Sequence, residues 1–374
     1  MGGTDAAAQY TNAQHHIGTM RAPPNRAPRM SVTTPSHAVH ASVPLPPVDA
    51  VITWVDGDDP AHRAKREAWL ATLGTPPPAA RPARFHDAGE IDWCIASIFR
   101  FAPWLRTLHV VTDAQVPAVI VRLAGTPHAD RVRVVDHREV FAGFEDSLPT
   151  FNSRAIITAL WRIDGLAERF VYFNDDFMLL RPVARRDFFT DDDRMVLRGK
   201  WQAQSHRRWT RRLANLLKRL KRDRRGRAGN HDAQEASARL AGFDDRYYRL
   251  FHNPYPFRRS TMRAYFEAHP EALRRNLSYR LRSSEQFKGE GLATHLEIAS
   301  GNALRDNTLH TVQLKPRQQS PARVRAKMQR ADADANAAFV CVQSLELASP
   351  EMQAEIIAWL QRRIGDPRAV FAAA

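Results

Sequence analysis

An apolar run over residues 170–173 ends, through Asn174, in two adjacent carboxylates, Asp175 and Asp176. Four such residues in a row read as a buried strand. Open parallel sheets bind their ligands just beyond the carboxyl ends of the strands. Carboxylates at that point suit a hard divalent cation carrying a phosphate. A strand followed by an acidic turn would show the same residues, so the surroundings have to decide between the two.

Such a pair has to be held by a sheet, and strands and helices alternate along the chain. Residues 48–55 form an apolar run that ends in Asp56, with a helix expected over 61–73. A helical stripe follows at Ile91, Ile95, Ile98 and Phe99. Residues 108–111 end in Thr112 and Asp113, and residues 132–135 end in Asp136 and His137. Ser153 can cap a helix that buries Ile156, Ala159, Leu160 and Ile163. Every one of these strands ends at an acid, and helices separate them. The pattern predicts an α/β fold with a mostly parallel sheet and a site along one edge. No glycine-rich phosphate loop of the GxGxxG or GxxxxGK type occurs, which leaves phosphate handling to metal, Arg and His.

At 374 residues with 44% apolar content, the chain can bury one large core or two ordinary ones. Residues 1–46 lack periodicity and are expected to be disordered, or to precede a later start at Met30. An α/β core is expected over 47–183, a basic helical insertion over 184–250, and a C-terminal helical part completing the same domain over 251–374. The two cysteines, Cys94 and Cys341, offer no disulfide framework and fit a reducing compartment. No apolar run approaches a bilayer-spanning length. The expected place is the cytoplasm, with peripheral contact at the inner face of the membrane as an option.

The net charge of +15 is concentrated. Residues 206–227 hold eleven Lys/Arg against one acid, Asp223, or ten of the fifteen net charges. Trp209, Leu213, Leu216, Leu217 and Leu220 fall at helical spacing there, so the stretch reads as a basic amphipathic helix, either a solvated insertion or a surface for anionic lipid or another polyanion. With the charge concentrated there, the high net charge is no evidence of general nucleic-acid binding.

Four blocks resemble the Stealth family of capsule phosphotransferases, relatives of the eukaryotic lysosomal-enzyme N-acetylglucosamine-1-phosphotransferase. Residues 48–60 close in Thr53-Trp54-Val55-Asp56-Gly57-Asp58-Asp59-Pro60. Residues 95–117 carry Phe101-Ala102-Pro103-Trp104 and Val110-Val111-Thr112-Asp113. The third block runs from Leu148-Pro149-Thr150-Phe151-Asn152-Ser153 to Asn174-Asp175-Asp176. The fourth holds His252-Asn253-Pro254-Tyr255-Pro256 and Arg282-Ser283-Ser284-Glu285-Gln286-Phe287. Together they span roughly residues 48–300.

The resemblance implies a sheet of the GT-A type and transfer of hexose 1-phosphate, N-acetylglucosamine 1-phosphate foremost, from a UDP-sugar to a glycan hydroxyl, with UMP leaving. In that reading Asp175 and Asp176 hold Mg²⁺ or Mn²⁺, one or both as ligands. His252 is the general base, or the nucleophile of a covalent intermediate. Arg282 meets the charge on the transferred phosphoryl group, unless it pairs with Glu285. Trp54 stacks on uracil or packs in the core, Asp56 binds ribose or metal, and Asp113 is a further nucleotide contact. Asn152 and Ser153 begin a helix that faces the diphosphate or is simply capped by them. The expected partners are the UDP-sugar and an acceptor glycan, with no specific nucleic acid. One rival is a metal-dependent glycosyltransferase that releases UDP; another is a membrane- or polyanion-binding protein without catalysis.

Overall fold

The computed structural model describes residues 46–73, 88–207 and 229–373. The first strands are β1 (Val48–Thr53), β2 (Leu108–Thr112), β3 (Val132–Asp136) and β4 (Arg169–Asn174). They are followed by β5 (Phe177–Leu179), β6 (Met195–Leu197), β7 (Gly199–Ala203), β8 (Arg246–Leu250) and β9 (Tyr255–Arg258). The last three are β10 (Ala303–Arg305), β11 (His310–Leu314) and β12 (Ala337–Val342). The central sheet runs in the order β3-β2-β1-β4-β9. Its first four strands are parallel, with Ile52 beside both Val110 and Phe173. The fifth, β9, is antiparallel and sets Tyr255 beside Tyr172. The α/β class and mostly parallel sheet are as the alternation of apolar runs and helical stripes predicts.

Burial explains why these runs are strands. Ala50, Val51, Ile52 and the run Phe170–Phe173 are all buried, so both faces of the sheet are covered. The helix Glu90–Phe101 packs Ile91, Ile95 and Ile98 into that core. One polar group is buried in β1. Asp49 accepts hydrogen bonds from the Arg106 guanidinium, the Thr107 and Ala167 backbone N–H groups and the His109 ring. Burial pushes its carboxyl up, but these bonds outweigh it and hold the group at about 2. This cluster ties β1 to β2 and to the approach of β4, the strands whose ends carry the site.

A second sheet runs in the order β11-β12-β5, and its β5 packs on the helix Glu90–Phe101. The turn at Asp175 and Asp176 joins β4 directly to β5, so the acidic pair sits where the chain passes between sheets. Among the described residues of 184–250 are β6, β7, β8 and the helix Asn230–Leu240. Residues 208–228, including Trp209 and the leucines of the amphipathic pattern, lie outside the described residues. So do residues 1–45. Among the described residues no helix is long and apolar enough to cross a membrane.

Candidate functional site

The carboxyl ends of the parallel strands and the start of β9 open on one cavity of about 440 Å³. His137 follows β3, Trp54 follows β1, Asp175 and Asp176 follow β4, and His252 lies shortly before β9. With strands about 4.8 Å apart, the edge from β3 to β9 measures about 19 Å. Seven of the residues singled out from sequence line it: Trp54, Asn152, Ser153, Asp175, Asp176, His252 and Arg282. Asp56 and Asp113 do not. The Asp56 carboxylate accepts the Asp58 N–H at 2.9 Å, and Gln115 holds the Asp56 backbone. Asp113 is in an ion pair with Lys65 at 3.1 Å.

The acidic turn has one unsatisfied atom. Asp175 accepts the Asp176 backbone N–H at 3.0 Å, and the Cys341 thiol on β12 lies 3.5 Å from Asp176 Oδ2. Asp176 Oδ1 is out of solvent reach and has no partner. Burial raises the Asp176 carboxyl to about 6, against the opposing pull of the Cys341 thiol, Asn174 and Arg282. Among the described residues no third His, Cys, Asp or Glu completes a metal cluster. Two carboxylates with one orphaned oxygen fit an ion that draws its other ligands from phosphate and water, as Mg²⁺ characteristically does.

At the β9 end the site is charged. Burial, with Lys288, Lys315 and Arg249 adding to it and Glu290 opposing, lowers His252 to about 4. The ring is therefore neutral at pH 7. Lys288 Nζ lies 2.5 Å from Glu290 Oε1. Arg282 Nη2 donates to Ser153 Oγ at 2.6 Å. Four arginines lie close together in this stretch of sequence, and packing separates them. Arg274 stacks over Phe144, Arg275 pairs with Glu285 at 3.2 Å, and Arg280 bonds the Asp146 and Leu148 carbonyls. Of the four, Arg282 lines the cavity. The salt bridge to Glu285 thus goes to Arg275.

Asn152 turns out to be a structural clasp. Its Oδ1 accepts the Arg154 N–H, and its Nδ2 donates to the Tyr279 carbonyl and Gln286. Its side chain caps the helix Ser153–Ala159 and fastens the segment carrying Arg282 to it.

The β3 end holds residues that sequence reasoning did not select. His137 is 4% exposed and Thr150 1%, both on the cavity wall, and neither side chain has a hydrogen-bond partner. His62 sets its ring edge-on to Phe151, with centroids 5.5 Å apart. Burial lowers His137 to about 4, with Asp113 and Asp136 opposing. The one available signal was the position of His137 immediately after a strand-end acid. Nothing in the spacing of His62, Thr150, Lys288 or Glu290 marks them.

Two family models match this chain. Residues 46–74 match Stealth protein CR1, conserved region 1, and residues 84–197 match Stealth protein CR2, conserved region 2. An exopolysaccharide phosphotransferase of Streptomyces coelicolor is 48% identical over 149 residues, covering 38% of this chain and 25% of that protein. An exopolysaccharide phosphotransferase of Lactiplantibacillus plantarum is 37% identical over 145 residues, covering 39% and 40%. A capsular polysaccharide phosphotransferase of Aeromonas hydrophila is 36% identical over 146 residues, covering 38% of each. The matches span well under half the length of these relatives. Among solved structures, a galactosyltransferase in complex with donor and acceptor sugar analogues superposes with a TM-score of 0.43 at 13% identity, covering 87% of this chain and 97% of that one. So loose a match adds nothing to what the sheet itself shows.

Proposed function

We propose that this chain, which carries conserved regions 1 and 2 of the Stealth proteins, transfers hexose 1-phosphate from a UDP-sugar to a hydroxyl of a capsule or cell-surface glycan. N-acetylglucosamine 1-phosphate is the first candidate for the group transferred. The observation that carries this reading is the meeting of Asp175, Asp176, His252 and Arg282 on one cavity wall. The names of the partial relatives agree with it.

In this mechanism the acceptor oxygen attacks the phosphorus that bears the sugar. Its proton passes to His252, which is neutral and so able to take it. The bond from that phosphorus to the bridging oxygen breaks, and the electron pair leaves on UMP. Arg282 is a fixed cation for the phosphoryl oxygens. Asp175 and Asp176 would hold Mg²⁺ or Mn²⁺, which supplies charge neutralisation for the diphosphate when bound. The neutral β3 end, with Trp54, His137 and Thr150, suits the uncharged base.

The test is the identity of the released nucleotide. With UDP-N-acetylglucosamine, Mg²⁺ and an acceptor glycan, UMP and a phosphodiester phosphorus signal are expected. Release of UDP would replace the reading with ordinary glycosyl transfer. Incubation without acceptor separates the two roles of His252, because only a nucleophile would accumulate a phosphohistidine.

A further inference from the structure

Glu290 stands at the start of the helix Gly289–Ala299 and faces the same cavity as His252 and Arg282. It is 3% exposed. One carboxylate oxygen is held by Lys288 at 2.5 Å, while the other, Oε2, is buried without a partner. A buried carboxylate oxygen left unpaired is costly, so a fold that keeps one on a cavity wall leaves it for a ligand to satisfy. Phosphate has the wrong sign for that place. A hydroxyl, which donates, has the right one.

The backbone around Glu290 is held on both sides. A Cβ on Gly289 would come within 3.1 Å of the Thr158 backbone, so the helix lies tight against the helix Ser153–Ala159. The Lys288 N–H donates to Ser237 Oγ at 2.9 Å, and that hydroxyl donates to the Lys288 carbonyl at 2.9 Å. These contacts hold the backbone that carries the carboxylate against the cavity wall.

We infer that Glu290 is the hydroxyl acceptor of this cavity: Oε2 takes a hydrogen bond from one sugar hydroxyl, of the donor sugar or of the acceptor glycan, and thereby selects the sugar. Lys288 orients the carboxylate by occupying its other oxygen. The inference takes the class of ligand from the phosphotransfer reading, and its chemistry from the unpaired oxygen. A site built to bond a hydroxyl discriminates strongly against sugars that lack it.

Glu290→Gln tests it, because the amide keeps the shape. With its carbonyl on Lys288 it turns an N–H toward the cavity, so an acceptor becomes a donor. Calorimetric binding of UDP and of UDP-N-acetylglucosamine with Mg²⁺ is compared between wild type and variant, together with the KM for acceptor glycan. UDP affinity should stay within about twofold, which also shows that the variant is folded. Affinity for the UDP-sugar should fall by about tenfold to a hundredfold if the hydroxyl is the donor's. The acceptor KM should rise by that factor, with donor binding unchanged, if it is the acceptor's. A deoxy sugar lacking the hydroxyl should bind wild type and variant equally.

If both quantities stay within twofold, Glu290 reads no hydroxyl and the inference is overturned. If wild type binds no UDP, the nucleotide-sugar reading fails by itself. The inference is then decided by whether acceptor glycan alone binds wild type more tightly than Glu290→Gln. Should the glutamine variant fail to fold, Glu290→Asp, which shortens the reach by one methylene, is read by the same losses.

Discussion

The two ends of the cavity are built from the same sheet edge and use burial in opposite ways. The β3 end gathers His62, His137, Thr150, Phe151 and Trp54. Across β1 and β4 the wall becomes Asp175, Asp176, Arg282, His252, Lys288 and Glu290. Burial keeps His137 neutral at the first end and leaves its ring nitrogens and the Thr150 hydroxyl without partners. At the second end it confines charges of both signs in a poorly solvated space, where each acts more strongly than it would in water. A neutral flat group suits the first environment and a diphosphate the second. The two histidines sharpen the contrast. Both are held at about 4, with burial the largest cause. Around His137 the Asp113 and Asp136 carboxylates resist that shift more than His62 and Lys65 add to it, whereas around His252 Lys288, Lys315 and Arg249 add to it and Glu290 resists.

The largest expected break between the ends comes from the acidic turn. Asp176→Asn should cut transfer by about a thousandfold, the order seen when a charge stabiliser of the transition state is removed. Binding of uridine, which engages only the β3 end in this reading, should stay within about twofold by calorimetry. Loss of uridine binding in the same variant would mean the ends are not separable. His252→Ala comes next. A positioned base is worth about 10² to 10⁴ in rate. The fall should appear in kcat, with the KM for UDP-sugar little changed. Undiminished turnover would remove His252 from the proton transfer.

How much of this was legible in the sequence depends on how far apart the partners lie in the chain. The four parallel strands were readable because each apolar run stops at a charged residue, a local signal. The same signal misled at Asp56 and Asp113. A strand-end acid looks alike whether it faces a ligand or is taken by Lys65 from a neighbouring helix, as Asp113 is. Among the arginines, local order could not say that Arg275 would take Glu285 and Arg280 two carbonyls, leaving Arg282 on the cavity. The sheet order was the deepest omission. Nothing local shows β9 entering antiparallel beside β4, yet that places His252 next to a turn about 75 residues earlier in the chain. His137 and Thr150 stayed hidden for the same reason, since their unpaired atoms exist only once the strands are side by side.

At the β3 end the effects should be smaller and of another kind. His137→Phe keeps a ring and removes both nitrogens. It should raise the KM for UDP-sugar by about tenfold, the cost of a lost hydrogen bond or two, with kcat within twofold. A fall in kcat instead would carry the chemistry across the boundary between the ends.

The smallest effect is the most direct test of why the two histidines are neutral. His252 is held down partly by Lys288, Lys315 and Arg249. A bound diphosphate brings negative charge into that field, and negative charge favours the protonated ring. The His252 pKa should therefore climb from about 4 toward the ordinary 6.5 when UDP is added, by about one unit. His137 faces carboxylates already, and the group expected beside it is neutral, so its value should not move. Ring-proton NMR titrations from pH 4 to 7, with and without UDP, would follow both. At pH 5 the His252 signal should shift toward the protonated position on adding UDP while the His137 signal stays in place. Equal movement of both would mean that the anion does not settle at the β9 end and that the division of the cavity is wrong.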